Sequence, residues 1–259
     1  DNREHTPSHI AKRMLDYGYD NYTATVGELL GNNEKEKISV LGLNEVAGNT
    51  FTYPNNLILQ KTHNRPRPFG IPENEFHLLD GRIKMITKMP VRLISLSMLD
   101  LRDRKVFWDI GACTGSVSIE AKLQLPQLKV IAFEKRTTGK ELMSQNAHKF
   151  GTPGIEMVMG DIMDIKLTDY PRPDAVFIGG HSGKLIEILT KLKELINDNG
   201  TVVFNSVSAE SRGLFLKALQ INNFQLKQSH LITVNEHNTI EIIQAYKRCQ
   251  NTQSYSHRK

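Results

Sequence analysis

The sequence predicts an α/β protein: a mostly parallel sheet with helices on both faces and an antiparallel terminal hairpin, preceded by a small α+β fragment. Three observations carry that expectation. From residue 89 to residue 219, short β-branched and aromatic runs alternate with helix-period segments, the pattern of parallel strands joined by crossover helices. Two further strand-like runs, Phe224–Val234 and Thr239–Tyr246, flank a polar Asn235-Glu236-His237-Asn238 turn and so read as antiparallel. Ahead of all of these, about 60 residues offer too few elements for a comfortable core of their own.

The elements follow in order. Thr6 and Pro7 open the first helix as N-cap and N1, where the missing proline N–H costs nothing. Ile10, Met14 and Leu15 continue at helical spacing, and Gly18 is placed to end the helix. Tyr22–Val26 and Ile38–Leu41 read as strands, Leu43–Ala47 as a short helix and Asn56–Gln60 as a buried strand. Residues 61–75, KTHNRPRPFGIPENE, have three Pro, one Gly and no period, and read as a linker. Met89-Pro90 then starts a helix through Met98. Strands are expected at Val106–Ile110, Lys129–Glu134, Ile155–Gly160, Asp174–Ile178 and Thr201–Asn205, and helices at Thr114–Leu123, Gly139–Phe150, Ser182–Leu195 and Ala209–Leu219. The expected domain limits are 1–62 for the first piece, 63–78 for the linker, 79–248 for the α/β domain and 249–259 for a polar tail. The first piece reads as the end of a domain whose beginning is missing.

Composition narrows the function. The chain has 259 residues, 39% hydrophobic and 24% charged, which is ordinary for a folded protein. No apolar run approaches the roughly 20 residues of a membrane helix, and no signal-peptide core is visible. A cytoplasmic protein without a membrane partner is expected. Cys113 and Cys249 are too few for a disulfide framework. Charge is uneven: residues 1–75 carry 8 Lys/Arg against 10 Asp/Glu, a net of −2, and residues 76–259 carry 25 against 18, a net of +7. A basic domain of this kind suits an anionic partner such as nucleic acid, phosphate or a polycarboxylate.

The most informative segment runs from Val106 to Ser116, where a strand ends in Asp109 and passes through a glycine turn into a helix. Gly111 and Gly115 permit positive φ and close backbone approach, and the helix start offers unpaired N–H groups. A dinucleotide site needs G-x-G-x-x-G, and the series Gly111, Cys113, Gly115, Ser116 departs from it after the first glycine. S-adenosylmethionine needs an acid at the end of the first strand for its ammonium group and a second acid for its ribose. Asp109 and Glu134 fill these places, Glu134 ending the next strand. Gly160-Asp161-Ile162 ends the third strand, where Asp161 can accept from an adenine N–H and Ile162 can pack on the ring.

With these residues in place, the stretches MITKMPVRL (85–93), FWDIGACTGSVSIEA (107–121), VIAFEK (130–135), GDIMD (160–164), FIGGHSGK (177–184) and FNSVSAES (204–211) resemble the decarboxylating precorrin-6Y methyltransferases of cobalamin biosynthesis. The resemblance covers residues 79–248, and its motifs in this order are specific. The glycine turn alone is generic to the Rossmann-like class I S-adenosylmethionine-dependent methyltransferases. Residues 5–60, with HTPSHIAKRMLDYGYDNYTATVGELLG, NEVAG and NLILQ, resemble the C-terminal half of the carbon-5 tetrapyrrole methylase that precedes this domain in fused enzymes. Without the other half of that domain, no carbon-5 methylation is expected. The resemblance implies methylation of a precorrin or cobalt-precorrin at carbon 15, with decarboxylation of the ring C acetate. It also implies S-adenosylmethionine as cofactor, a polycarboxylate tetrapyrrole as partner and a homo-oligomer, usually a tetramer.

The residues divide by role. Thr87, Asp109, Gly111, Ala112, Cys113, Thr114, Gly115, Glu134, Gly160, Asp161, Ile162 and Gly179 are the cofactor candidates, and Lys88, His181 and Asn205 the catalytic ones. The resemblance places Thr87 by the methionine end of the cofactor; as a sequence position it also reads as a helix cap. Lys88 is a candidate for a substrate carboxylate, or a solvated lysine. Cys113 occupies a position often held by glycine; it demands an ordinary φ and is expected to act through its backbone only, with no base beside it. Gly179 and Gly180 let a bulky ligand approach, Ser182 is a candidate helix cap, and His181 has a pKa suited to acid–base work or is a bystander. Asn205 is placed to bond a substrate carboxylate or ring N–H, and Ser208 and Glu210 open a helix. No metal site is expected. Methyltransferase action on RNA or protein is the rival reading, disfavoured because no Asn-Pro-Pro-Tyr motif follows the fourth strand. A fragment that only binds cofactor is another.

Overall fold

The computed structural model describes residues 4–81, 85–234 and 239–248, so the expected Asn235–Asn238 turn, Cys249 and the 249–259 tail lie outside the described residues. The chain divides into two compact units. One runs to Arg67 and includes Ala147–Pro153; the other comprises Pro68–Asn146 and the chain from Gly154 onward.

In the first unit, α1 (Pro7–Asp16) starts as expected, with Thr6 Oγ1 accepting the His9 N–H at 3.1 Å and proline in the first turn. Strand β1 (Tyr22–Glu28) lies between β2 (Lys37–Gly42) and β3 (Asn55–Lys61), antiparallel to both, and α2 (Leu43–Gly48) follows β2. Ala11, Ala24, Leu43 and Val46 form the centre of a small core with Leu57 and Leu59 packed against it. The strand expected to be wholly buried, Asn56–Gln60, is buried on one face only: Leu57 and Leu59 point inward and Ile58 outward. A continuous apolar run concealed that alternation, since successive strand side chains face opposite ways whatever their type.

The second unit opens at Pro68, inside the segment read as a linker. Ile71 and Phe76 are buried and a 3-10 turn covers Glu73–Glu75, so the second half of the expected 63–78 linker is anchored to the second unit although most of its residues are exposed or half-buried. Its proline and glycine content sets backbone direction without making it free of the core. Next come α3 (Met89–Leu99), β4 (Val106–Ile110), α4 (Ser116–Gln124), β5 (Lys129–Glu134), α5 (Gly139–Phe150), β6 (Ile155–Met159) and β7 (Ala175–Ile178). The unit continues with α6 (Leu185–Leu195), β8 (Thr201–Ser206), α7 (Ala209–Ile221), β9 (Phe224–Ile232) and β10 (Ile240–Lys247). The sheet order is β6-β5-β4-β7-β8-β10-β9, parallel from β6 to β8 and antiparallel where β10 meets β8 and β9. β4 is the central switch: the chain winds outward from it in one direction through β5 and β6, then returns to its other side with β7.

Both faces of the sheet are covered, which is why its strands read as near-continuous apolar runs. Phe107, Val130, Ala175, Phe177 and Val203 meet residues of α3 and α4 on one face. Trp108, Ile131, Phe133, Val176 and Val202 meet α6 and α7 on the other. The edge strand β9 is instead exposed along most of its length and carries Gln225, Lys227, Gln228 and His230, a composition that discourages pairing with another chain. Two helices start later than expected. α4 begins at Ser116 because Gly115 ahead of it is left-handed, and α6 begins at Leu185 because Ser182 and Gly183 both have positive φ.

Trp108 is fully buried on the central strand, edge-on to Phe133 at 5.1 Å, and its indole N–H has no partner among the described residues. Trp108→Ala is expected to destabilise the chain by roughly 3–5 kcal/mol, as a cavity of this size does. Trp108→Phe, which also removes the unpartnered donor, should cost less than about 2 kcal/mol in urea titrations followed by circular dichroism.

Candidate active site

The site lies at the C-terminal edge of the parallel strands, beside β4, where the strand order reverses. Ile110 pairs with Phe133 on one side and with Ile178 on the other, so the chain leaves the sheet at adjacent points: Gly111, Glu134 and Gly179. Backbone hydrogen bonds tie the three exits together. Gly111 and Ala112 N–H both donate to the Phe133 carbonyl, at 2.9 and 3.1 Å, and Gly179 and Gly180 N–H both donate to the Ile110 carbonyl, at 2.9 and 3.2 Å. A Cβ on Gly111 would stand 2.6 Å from the Gly180 nitrogen, and φ at Gly111 is +76°. Backbone meets backbone there, so neither side can yield and only glycine fits. Around these exits is a cleft of about 640 Å³, within the size range of small-molecule sites.

Most of the expected residues come together in it. Thr87, Gly111, Cys113, Glu134 and Gly179 line the cleft, as does the run Gly160-Asp161-Ile162. Lys88, His181 and Asn205, expected for catalysis, line it too. Four cofactor candidates do not: Asp109, Ala112, Thr114 and Gly115. The turn has an inner and an outer side, and these four are on the inner one. Ala112 packs with Ala132 and Met143, Gly115 faces Met143, and buried Thr114 gives its carbonyl to the Asn146 amide at 2.9 Å.

Asp109 is completely buried directly beneath the turn. Its Oδ2 accepts from Ser118 N–H at 3.2 Å and Ser118 Oγ at 2.7 Å, and its Oδ1 has no partner among the described residues. Burial pushes this carboxyl up from 3.8 to about 6, the Ser118 bonds opposing the rise and the nearby Glu134 charge adding to it. Cys113 does not have the ordinary φ expected of it: its φ is +50°, left-handed, in the manner of the glycine it replaces. Its N–H donates to Glu134 Oε2 at 2.8 Å. Burial and the Glu134 charge raise the thiol, which keeps it protonated and a poor nucleophile.

Glu134 already accepts three hydrogen bonds. One oxygen takes the Cys113 N–H; the other takes the Arg136 N–H at 2.9 Å and the Arg136 guanidinium at 3.3 Å. A carboxylate offers about four acceptor positions, so one remains on Oε2 for a ligand hydroxyl. Asp161 accepts from Met163 N–H at 2.9 Å and pairs with Lys184 at 3.0 Å, which holds its carboxyl below the usual range.

Two sequence expectations are corrected by these neighbours. Thr87 does not cap α3: the N-cap is Lys88, and Glu73 accepts the Met89 N–H. Ser182 does not cap α6 but takes a hydrogen bond from Lys135 Nζ at 2.6 Å. His181 Nδ1 accepts from the Gly183 N–H at 3.2 Å, its ring lies edge-on to Phe204, and burial lowers its pKa from the ordinary imidazole value. Asn205 Oδ1 accepts from Ser95 Oγ at 3.0 Å.

Other lining residues were not read from the sequence. Lys135 and Arg136 directly follow Glu134, so their place was discoverable from that acid. Ile188 on α6 and Ile240 on β10 carry no local signal and arrive only through the packing of distant elements. Among the described residues no group of three or more His, Cys, Asp or Glu is suited to a metal, and no helix is long and apolar enough to cross a membrane.

The sheet order, the glycine turn after β4 and the acids ending β5 and following β6 define a class I methyltransferase fold, and the chain is a methyltransferase. More closely, it belongs to the precorrin methyltransferase family, whose domain model matches residues 77–259. It is 34% identical over 133 residues to the cobalt-precorrin-6B C(15)-methyltransferase (decarboxylating) of Salmonella typhimurium, a match covering 51% of this chain and 68% of that protein. It is also 34% identical over 137 residues to the precorrin-6Y C(5,15)-methyltransferase (decarboxylating) of a Sinorhizobium species, where the match covers 53% of this chain but only 32% of the relative. The crystal structure of a precorrin-6y C5,15-methyltransferase from Geobacter metallireducens superposes with a TM-score of 0.65 at 32% identity, covering 71% of this chain and 100% of the other.

The Asp109 carboxyl gives a stability test. Its native pKa is raised, so the protonated form is the one the fold favours; that contribution is complete below pH 3.8 and is lost as pH rises through about 6. Asp109→Asn is therefore expected to match the wild type in acid and to exceed its stability by up to about 3 kcal/mol at pH 8, read from urea midpoints across that range.

Proposed function

We propose that the second unit transfers a methyl group from S-adenosylmethionine to carbon 15 of a precorrin or cobalt-precorrin and removes the carboxyl of the ring C acetate, a step of cobalamin biosynthesis. One observation carries the reading. All six sequence stretches that resemble the decarboxylating precorrin methyltransferases send residues into the same cleft: Thr87, Gly111, Glu134, Asp161, His181 and Asn205 represent one stretch each.

The residues present fit the cofactor. Gly111, Gly179 and Gly180 give the cleft a lining of bare backbone, and Glu134 keeps an acceptor position for a ribose hydroxyl. Asp161 and Ile162 are placed for the adenine. When bound, S-adenosylmethionine supplies an already activated methyl group. The chain's part is then to orient and to exclude water, and orientation alone supplies effective molarities of roughly 10⁵–10⁸ M at best. Lys88, the Asn205 amide and His181 present hydrogen-bond donors to substrate carboxylates, and Lys88, Lys135, Arg136 and Lys184, offset in part by Glu134 and Asp161, leave the cleft lining net positive. The conjugated macrocycle takes up the electron pair released on loss of CO₂, so no general base is required. Residues 1–62 are read as the C-terminal part of a carbon-5 tetrapyrrole methylase domain, a reading supported by the helix, strands and short helix found in the expected order.

The test is incubation with S-adenosylmethionine and a precorrin-6B preparation, read by mass spectrometry. Gain of one methyl with loss of CO₂ supports the reading; transfer to RNA or protein but not to the tetrapyrrole overturns it. Glu134→Ala is expected to weaken cofactor binding by roughly 1–3 kcal/mol in calorimetry, the worth of a buried hydrogen bond to a charge.

A further inference from the structure

Behind the Thr87–Lys88 wall of the cleft lies a charged pair with both side chains completely buried, Arg92 on α3 and Glu120 on α4. Arg92 Nε donates to Glu120 Oε2 at 2.5 Å, Nη1 donates to the Thr87 carbonyl at 2.6 Å, and Nη2 donates to the Ile71 carbonyl. Its guanidinium carbon stands 5.1 Å from the centre of the Phe76 ring. The other Glu120 oxygen accepts the Gly70 N–H, and Glu73 accepts the Met89 N–H at the start of α3. One planar cation thus joins the 70–76 strap, the end of the cleft wall and the helix that follows the glycine turn.

Such a pair is a poor source of stability. Two desolvated charges often gain nothing over apolar residues of the same volume, whereas a guanidinium fork fixes several acceptors in one plane. We propose that Arg92 is a positioning residue for this active site: through the Thr87 carbonyl it holds the Thr87–Lys88 wall at a set distance from the cofactor turn. Arg92 touches neither substrate nor cofactor, since it lies wholly behind the cleft lining. A lysine in its place keeps the charge opposite Glu120 but cannot reach the Thr87 and Ile71 carbonyls together, as it lacks the fork.

The inference rests on the reading of the cleft as a tetrapyrrole methylation site, so its test has two readouts. Arg92→Lys and the apolar double variant Arg92→Met with Glu120→Leu are compared with wild type by steady-state kinetics on the precorrin. Amide exchange of the 85–89 peptide is measured in parallel. In each variant that remains folded by circular dichroism, kcat/KM for the tetrapyrrole should fall by at least about tenfold, while calorimetric affinity for S-adenosylmethionine changes less than about threefold. Exchange at Lys88 and Met89 should quicken. Unchanged kcat/KM and exchange in a folded variant overturn the proposal. If Arg92→Lys does not fold, the double variant decides. If wild type itself leaves the precorrin unmethylated, the functional reading fails, and the exchange measurement alone still decides whether Arg92 holds the wall.

Discussion

The cleft depends on the way Ile110 is held between two parallel neighbours. Its pairing with Phe133 and Ile178 brings three chain exits to one edge, and its carbonyl receives two successive N–H groups from the Gly179-Gly180 loop. The Phe133 carbonyl does the same for Gly111 and Ala112. These shared acceptors draw the loops so close that side chains are excluded between them, which is what places glycine at 111 and leaves bare backbone at this edge of the cleft. In a site built this way the edge of the cleft beside Gly111, Glu134 and Gly179 is set by the sheet, and loop side chains adjust only its details.

Buried polarity marks where the fold serves chemistry at a cost in stability. Asp109 is buried beneath the turn with one oxygen lacking a partner among the described residues, and Arg92 and Glu120 form a desolvated pair of a kind that apolar residues of the same volume often match in stability. Neither feature follows from core packing. Both adjoin the cleft, one under the cofactor turn and one behind the opposite wall, and both become intelligible once ligand geometry is the quantity being held fixed. The +7 charge of residues 76–259 belongs to the same account, since Lys88, Lys135, Arg136 and Lys184 stand at the cleft and are offset there only in part by Glu134 and Asp161.

Much of this was legible along the chain. The alternation of buried strands and helices announces a parallel sheet covered on both sides, and a strand end with Asp109 followed by Gly111 and Gly115 announces a cofactor turn. Glu134, Asp161, His181 and Asn205 line one cleft because each follows or ends a strand, and parallel strands deliver such residues to one edge. What was not legible has a common origin. Which side of a turn faces the cleft separates Gly111 and Cys113 from Ala112, Thr114 and Gly115, and spacing does not encode it. The proline-rich stretch at 68–76 resembled a linker because its burial comes from partners at Arg92 and Glu120, distant in sequence.

What the sequence by itself determined, then, is the class of fold, the acids and glycines of the turn, and the family, because these are local patterns tied to backbone conformation and strand ends. What only the tertiary structure decided is the state of those residues. The left-handed φ of Cys113, the raised pKa of Asp109, the lowered one of His181 and the reach of Arg92 to Thr87 all depend on burial and on contacts between segments far apart in the chain, and no window of sequence contains both sides of such a contact.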